Sequence, residues 1–358
     1  MPRIKLFLGG YVNYLNAQNI NCRALSEVLD HDRFDITTIL YPEQTAGDFY
    51  RVQGIHYLQM SRPVRLWRYI VYLIGIARSN VAYLPKGEID SFCLIVARIF
   101  RTKAFTTVEG LIDDLGIGLT GMGKRKKSSY IAHFTKYEPN LYAITKYIAR
   151  DVARRRGFHF SDRILYLGVD SDKFKVSNRT PKTLSDIIFI GNSPSIKNIE
   201  DFMDAAKAFP EIKFHIVGGN KLKNGTVESY IADHGLANVT YHGRLDHTAL
   251  AEFLKSIDLM YFPSRSEGFP KVHLETACAG VPTLCYSDYG ASEWIDSGRN
   301  GLVVDTAEEA LREIGRLREN PEELRALSEG AVELGRKFDW KNIVGIWAEE
   351  IERLAESK

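Results

Sequence analysis

Two glutamates, Glu267 and Glu275, stand with seven residues between them in the stretch Pro263-Ser-Arg-Ser-Glu-Gly-Phe-Pro-Lys-Val-His-Leu-Glu-Thr-Ala-Cys-Ala-Gly-Val-Pro282. An apolar run, Leu259–Phe262, precedes them, and a helix is expected to begin near Lys271. That spacing puts Glu267 in a strand-to-helix loop and Glu275 about one turn into the helix. The amides of Gly268, Phe269 and Lys271 are then free at the helix start, whereas Pro270 has none to give. Carboxylates accept from hydroxyls and free amides donate to anionic oxygens, so such a loop suits a hydroxyl-rich ligand that carries phosphate. The same residues also fit simple acidic capping of a helix N-terminus. A second candidate is Gly9-Gly10, where the first apolar run, Ile4–Leu8, gives way to a helical pattern. Glycines at such a turn let backbone amides approach a ligand, which makes Gly10 a donor-binding candidate, or they make a tight connection and nothing more. The pair is not a full G-x-G-x-x-G, which argues against a nicotinamide dinucleotide site.

The elements that would hold these residues repeat along the chain. Strand-length apolar runs occur at Ile4–Leu8, Phe34–Leu40, Val81–Leu84, Ala104–Val108, Leu141–Ile144, Ile187–Ile190, Lys213–Val217, Val239–Tyr241, Leu259–Phe262, Thr283–Cys285 and Gly301–Val303. Amphipathic stretches such as Ala17–Leu29 and Ile199–Ala208 lie between them. Short, nearly continuous apolar runs are expected of parallel strands covered by helices on both faces. The fold class is therefore α/β and doubly wound. The pattern restarts once, after the polar segment Ser171–Ser185. Two domains result, 1–178 and 179–340, followed by a charged amphipathic C-terminal helix over 341–358 that is expected to return to the first.

Length and composition agree. The 358 residues are enough for two cores, and 45% hydrophobic with 26% charged is ordinary for a globular protein. The longest apolar run, Tyr69–Ala77, falls well short of the roughly 20 residues a bilayer span needs. The N-terminus MPRIKLFLGG has no signal-peptide pattern, so a cytoplasmic location is expected. Cys22, Cys93, Cys278 and Cys285 are scattered and suit buried thiols rather than a metal site. The net charge of +2 conceals an asymmetry: residues 1–178 carry 26 Lys and Arg against 16 Asp and Glu, a net of +10, and the remainder nets −8. The basic half should face something anionic.

The full Pro263–Pro282 string resembles the E-x7-E segment of the retaining glycosyltransferase family 4. Its Pro263-Ser264, Glu267-Gly268-Phe269, Glu275 and Gly280-Val281-Pro282 match the family pattern. Gly191-Asn-Ser-Pro-Ser-Ile-Lys197-Asn198 looks like the family's glycine-to-lysine loop, and Tyr241-His-Gly-Arg244-Leu resembles its next nucleotide-side segment. Gly168-Val169-Asp170, Asn300-Gly301-Leu302 and Phe338-Asp339-Trp340 extend the likeness over most of the chain. The resemblance implies a GT-B fold, two Rossmann-like domains facing across a cleft, with a UDP- or GDP-sugar on the second and no essential metal or other cofactor. It implies that Glu275 holds the ribose, that Glu267 and the amides after it hold the transferred sugar, and that Lys197 neutralises the diphosphate. Gly243 and Arg244 would lie near the base, and Gly191 and Asn192 near the phosphates. Two departures stand out. Asn192 occupies a position where the family often has Arg, so a phosphate contact is absent or comes from Arg244 or Arg265. In the first domain Glu109 stands where the family often has a His-Gly, and a carboxylate there could take the acceptor's hydroxyl proton.

The basic half also interleaves cations with aromatics: Arg65, Trp67 and Arg68 before the longest apolar run, then Lys124, Arg125, Lys126 and Lys127. Solvated loops and helix faces would look the same. The sharper reading is peripheral attachment to an anionic membrane, suited to a glycan or polyprenyl-diphosphate acceptor. No nucleic-acid-binding motif is present. His242 and His273 lie in the donor-side segments and could bond a ligand, while His215 suits a satisfied core position. A nucleotide-sugar epimerase or a non-catalytic sugar- or lipid-binding module would share the architecture.

Overall fold

Twelve short strands form two six-stranded sheets, each wholly parallel, in a computed structural model that describes residues 2–47, 49–85, 87, 89–110, 132–175 and 183–357. The first unit holds residues 2–110 and 132–167 together with the C-terminal helix Trp340–Glu356. Its strands are β1 (Ile4–Tyr11), β2 (Phe34–Leu40), β3 (His56–Gln59), β4 (Val81–Tyr83), β5 (Lys103–Val108) and β6 (Leu141–Ala143), ordered β3-β2-β1-β4-β5-β6. The second unit, Gly168–Asp339, holds β7 (Asp186–Gly191), β8 (Lys213–Gly218), β9 (Val239–Tyr241), β10 (Leu259–Phe262), β11 (Thr283–Tyr286) and β12 (Gly301–Val304), ordered β12-β11-β10-β7-β8-β9.

The strand order of each sheet reverses once, between β1 and β4 and between β7 and β10. Loops leaving the carboxyl ends of strands on either side of such a reversal diverge and leave room for a ligand. β10 is buried along its whole length, which its uninterrupted Leu-Met-Tyr-Phe requires.

Three sequence expectations change. The edge strand β3 has no apolar run to announce it. The seam falls at Gly168 because the short helix Ser171–Phe174 packs on helices His247–Phe253 and Lys271–Cys278, and Asp339 accepts from the Ser171 amide at 3.1 Å. Gly9 and Gly10 lie inside β1, not in the turn after it, and the register with β2 slips between Leu8 and Tyr11. Close packing explains the glycines: a Cβ on Gly10 would stand 2.7 Å from the Cys22 side chain, and one on Gly9 3.1 Å from the Tyr83 carbonyl oxygen. The C-terminal helix is anchored in the first unit by Trp347, whose indole donates to the Tyr166 carbonyl at 2.9 Å and meets the Tyr83 ring edge-on. All four cysteines are buried, and none is in a disulfide.

Candidate active site

The loops after β7 and β10 leave the second sheet at its reversal and bring Lys197 onto Glu267. The Glu267 Oε1 that accepts from the Lys197 ammonium also accepts from the buried Ser264 hydroxyl at 2.8 Å. Lys197 reaches this point because the loop turns tightly. Its amide bonds back to the Ser193 and Pro194 carbonyls, and Asn198 adopts a left-handed φ of 53° before helix Ile199–Ala208. The ammonium lies 4.8 Å from the centre of the Phe262 ring. Gly191 makes room for it, since a Cβ there would come within 2.6 Å of the Lys197 Cδ.

Beside this pair the backbones of three loops touch. Gly218 donates to the Gly243 carbonyl at 2.8 Å and Gly219 to the Gly191 carbonyl at 2.9 Å. A Cβ on Gly218 would sit 2.1 Å from the Gly191 oxygen, and one on Gly219 2.1 Å from the Asn192 oxygen. Only glycine permits this, and Gly218 also has φ +133°. Gly191, Asn192 and Gly243 are thus joined by a glycine pair that the sequence reading passed over, although Gly-Gly at a strand end was its signal. Two further residues were missed. The hydroxyls of Ser195 and Ser266, one on each loop, are buried with no hydrogen-bond partner among the described residues, an arrangement that favours a ligand able to accept from them.

Glu275 is the fifth of the eight residues of helix Lys271–Cys278 and is buried. Burial pushes its carboxyl above the usual glutamate range, and the nearby His247 and Lys271 charges ease that shift. The helix has no side-chain cap at Pro270. Its position is set from behind by helix Pro321–Lys337: Gly335 lies so close that a Cβ would be 2.7 Å from the Cys278 sulfur, and Ser328 donates to the Gly280 carbonyl at 2.6 Å. The Phe269 side chain is core, packed against Trp294 at 4.8 Å and Phe338 at 5.4 Å, so it and Gly268 can serve a ligand through the backbone alone.

Neither histidine singled out for a ligand stands free. His273 is enclosed: Trp294 donates to its Nδ1 at 3.2 Å, and burial pushes its pKa down to about 3. His242 lies 3.1 Å from His215, which bonds Asp186 at 2.9 Å; burial and His215 together lower the pKa of His242. Arg244 is exposed after β9. Arg265 pairs with Asp288 at 2.9 Å and stacks 4.1 Å over the Tyr286 ring, so its charge is already engaged.

In the first unit, Glu109 follows β5 and accepts from Asn21 (3.3 Å), Tyr83 (3.2 Å) and Thr107 (3.3 Å). Gly10 belongs to this unit, as part of β1. Arg65 is exposed, Trp67 and Arg68 are half-buried, and Lys124–Lys127 lie outside the described residues.

The family model described as glycosyl transferases group 1 matches residues 170–333, essentially the second unit. Over that stretch the chain is similar to group 1 glycosyl transferases. An uncharacterized glycosyltransferase of Methanocaldococcus jannaschii is 27% identical over 159 residues, 44% of this chain and 45% of that protein. The D-inositol 3-phosphate glycosyltransferase of Paenarthrobacter aurescens is 33% identical over 127 residues, 33% of this chain and 31% of its own. The aligned stretch spans less than half the length of these relatives. Among solved structures, Anabaena HepE in complex with UDP-glucose superposes with a TM-score of 0.77 at 15% identity, covering 98% of this chain and all of that one. The likeness establishes the fold: the two units have the two-domain α/β architecture of GT-B glycosyltransferases.

Proposed function

We propose that the protein is a retaining glycosyltransferase of family 4 type that moves a sugar from a nucleoside-diphosphate donor to a glycan or lipid-linked hydroxyl. The observation that carries this reading is the meeting of Lys197 and Glu267 from two loops at the sheet reversal. The glycine contacts and the uncapped helix start beside them favour an anionic, hydroxyl-rich ligand. Lys197 meets the diphosphate and stabilises it as charge develops on departure, a contact whose loss typically raises the barrier by about 2.7–4 kcal/mol. Glu267 and the following amides hold the transferred sugar, and Glu275 accepts from the ribose hydroxyls. UDP is the favoured nucleotide, since HepE of the same fold binds UDP-glucose; a GDP-sugar is the alternative. Basic side chains and backbone amides do the work that a cation does in other enzymes, so no metal is assigned.

The first unit takes the acceptor, and Glu109 is its general base. Asn21, Tyr83 and Thr107 fix that carboxylate in orientation. Burial and the Glu109 charge hold the Tyr83 phenol well above its ordinary pKa, so Tyr83 remains a donor at neutral pH.

Calorimetry with UDP and GDP on the parent and on Lys197→Ala tests the donor assignment. Tight binding of one nucleotide that the variant loses is the expected result. Equal binding by both proteins overturns the role of Lys197, and no binding of either nucleotide favours a non-catalytic module.

A further inference from the structure

Of the eleven large hydrophobic side chains that stand exposed among the described residues, six belong to two helices of the first unit, Val64–Ala77 and Asp90–Phe100. They are Leu66, Tyr69, Leu73, Ile95, Ile99 and Phe100, each between 40% and 68% exposed. Leu66, Tyr69 and Leu73 follow i, i+3, i+7 spacing and form one stripe, and Phe92, Ile95 and Ile99 repeat that spacing on the neighbouring helix. The two helices pack together, and the Tyr69 and Phe92 rings meet edge-on at 4.9 Å, which joins the stripes into one face. Single exposed apolar residues need no explanation, but a contiguous face of this kind marks an interaction surface. Its surroundings are basic. Arg65, Arg98 and Arg101 are exposed around it, and the one acidic residue of the two helices, Asp90, is buried against His133 and Tyr137.

We propose that this two-helix face docks the protein on an anionic lipid bilayer. The stripes enter the boundary between headgroups and acyl chains while the three arginines meet lipid phosphates. Charge selects this occupant over a second copy of the chain, because a two-fold contact would set the same arginines against one another. The face differs from the one the sequence suggested: Trp67 and Arg68 are half-buried, and the apolar side chains that protrude come from both helices. The inference does not depend on which sugar is transferred.

Sedimentation of the full chain with vesicles tests it, using phosphatidylcholine alone and phosphatidylcholine mixed with phosphatidylglycerol. The parent should sediment with the mixed vesicles, and less so as salt rises. Leu73→Asp/Ile99→Asp and, separately, Arg65→Glu/Arg98→Glu should each lower the bound fraction about tenfold with an unchanged thermal melt. Absence of parent binding, or equal sedimentation of parent and variants, overturns the proposal. So does a dimer of the parent, seen without lipid by sedimentation velocity, that Leu73→Asp/Ile99→Asp dissolves.

Discussion

One carboxylate oxygen of Glu267 accepts from both the Lys197 ammonium and the Ser264 hydroxyl, so the ammonium assigned to the diphosphate is paired before any donor arrives. A diphosphate must compete with Glu267 for that ammonium. Glu267→Gln removes the competing charge and keeps the shape. UDP affinity should therefore hold or rise several-fold, while transfer falls by about 100-fold or more because the sugar contact is lost. Calorimetry beside initial rates separates the two effects. A parallel loss of affinity would sink the assignment of Glu267 to the sugar.

Glu275 should behave in the opposite way. Its carboxylate is buried one turn into an uncapped helix, with Lys271 and His247 as the nearby cations. If it accepts from ribose hydroxyls, Glu275→Ala should weaken nucleotide binding by roughly 10–100-fold, the range for hydrogen bonds to a charged group. Unchanged affinity removes it from the ribose. Binding should also carry a pH signature. Burial raises the Glu275 pKa, so as pH falls affinity should begin to drop above the pH 4.5 of an ordinary glutamate, and Glu275→Gln should lack that drop.

Much of this architecture is legible in the sequence, for a physical reason. Parallel strands covered on both faces must be apolar at successive positions, and eleven of the twelve strands can be read as such runs. β3 could not be, because His56–Gln59 lies at a sheet edge and is only partly covered. Lys197 and Glu267 could each be singled out within a local string, but their contact spans 70 residues and no spacing announces it. The same holds for Gly218 and Gly219, whose role lies in the carbonyls of Gly191 and Asn192 just beyond where their Cβ atoms would fall. Gly9-Gly10 shows the converse failure. A glycine pair reads as a turn, yet here it lets helix Ala17–Val28 press Cys22 against a strand.

Two helical glycines should respond to alanine with opposite signs. At Gly330, in helix Pro321–Lys337, a Cβ would lie 2.0 Å from the Arg299 carbonyl oxygen, which is backbone and cannot step aside. Overpacking of about 1–3 kcal/mol outweighs the helix-propensity gain of up to about 1 kcal/mol, so Gly330→Ala should lower the melting temperature. Gly345, in helix Trp340–Glu356, is exposed with nothing within 4 Å of its Cβ position. Gly345→Ala should stabilise by about 0.5–1 kcal/mol. Thermal melts of the two variants beside the parent give both signs.

His273 should make the second unit acid-sensitive. Its Nδ1 accepts from the Trp294 indole, so the ring is neutral with its proton on Nε2, facing the Tyr289 hydroxyl at 3.5 Å. Burial first, and the Lys197 charge second, push its pKa from 6.5 down to about 3. The sign follows from proton counting. Below pH 6.5 the unfolded chain takes a proton at this residue that the folded chain refuses until about pH 3, so stability is full above pH 6.5 and is lost as pH falls. The slope from this one residue approaches about 1.4 kcal/mol per pH unit. Carboxylates also titrate in that window, so the informative quantity is the difference from His273→Gln, whose amide oxygen can still accept from Trp294. That variant should be less stable than the parent at pH 7.5 and should close the gap as pH falls to 4.5. Denaturant melts at four pH values across this range measure it. A constant gap would mean that the imidazole is protonated in the folded protein or that the unfolded chain shares its environment.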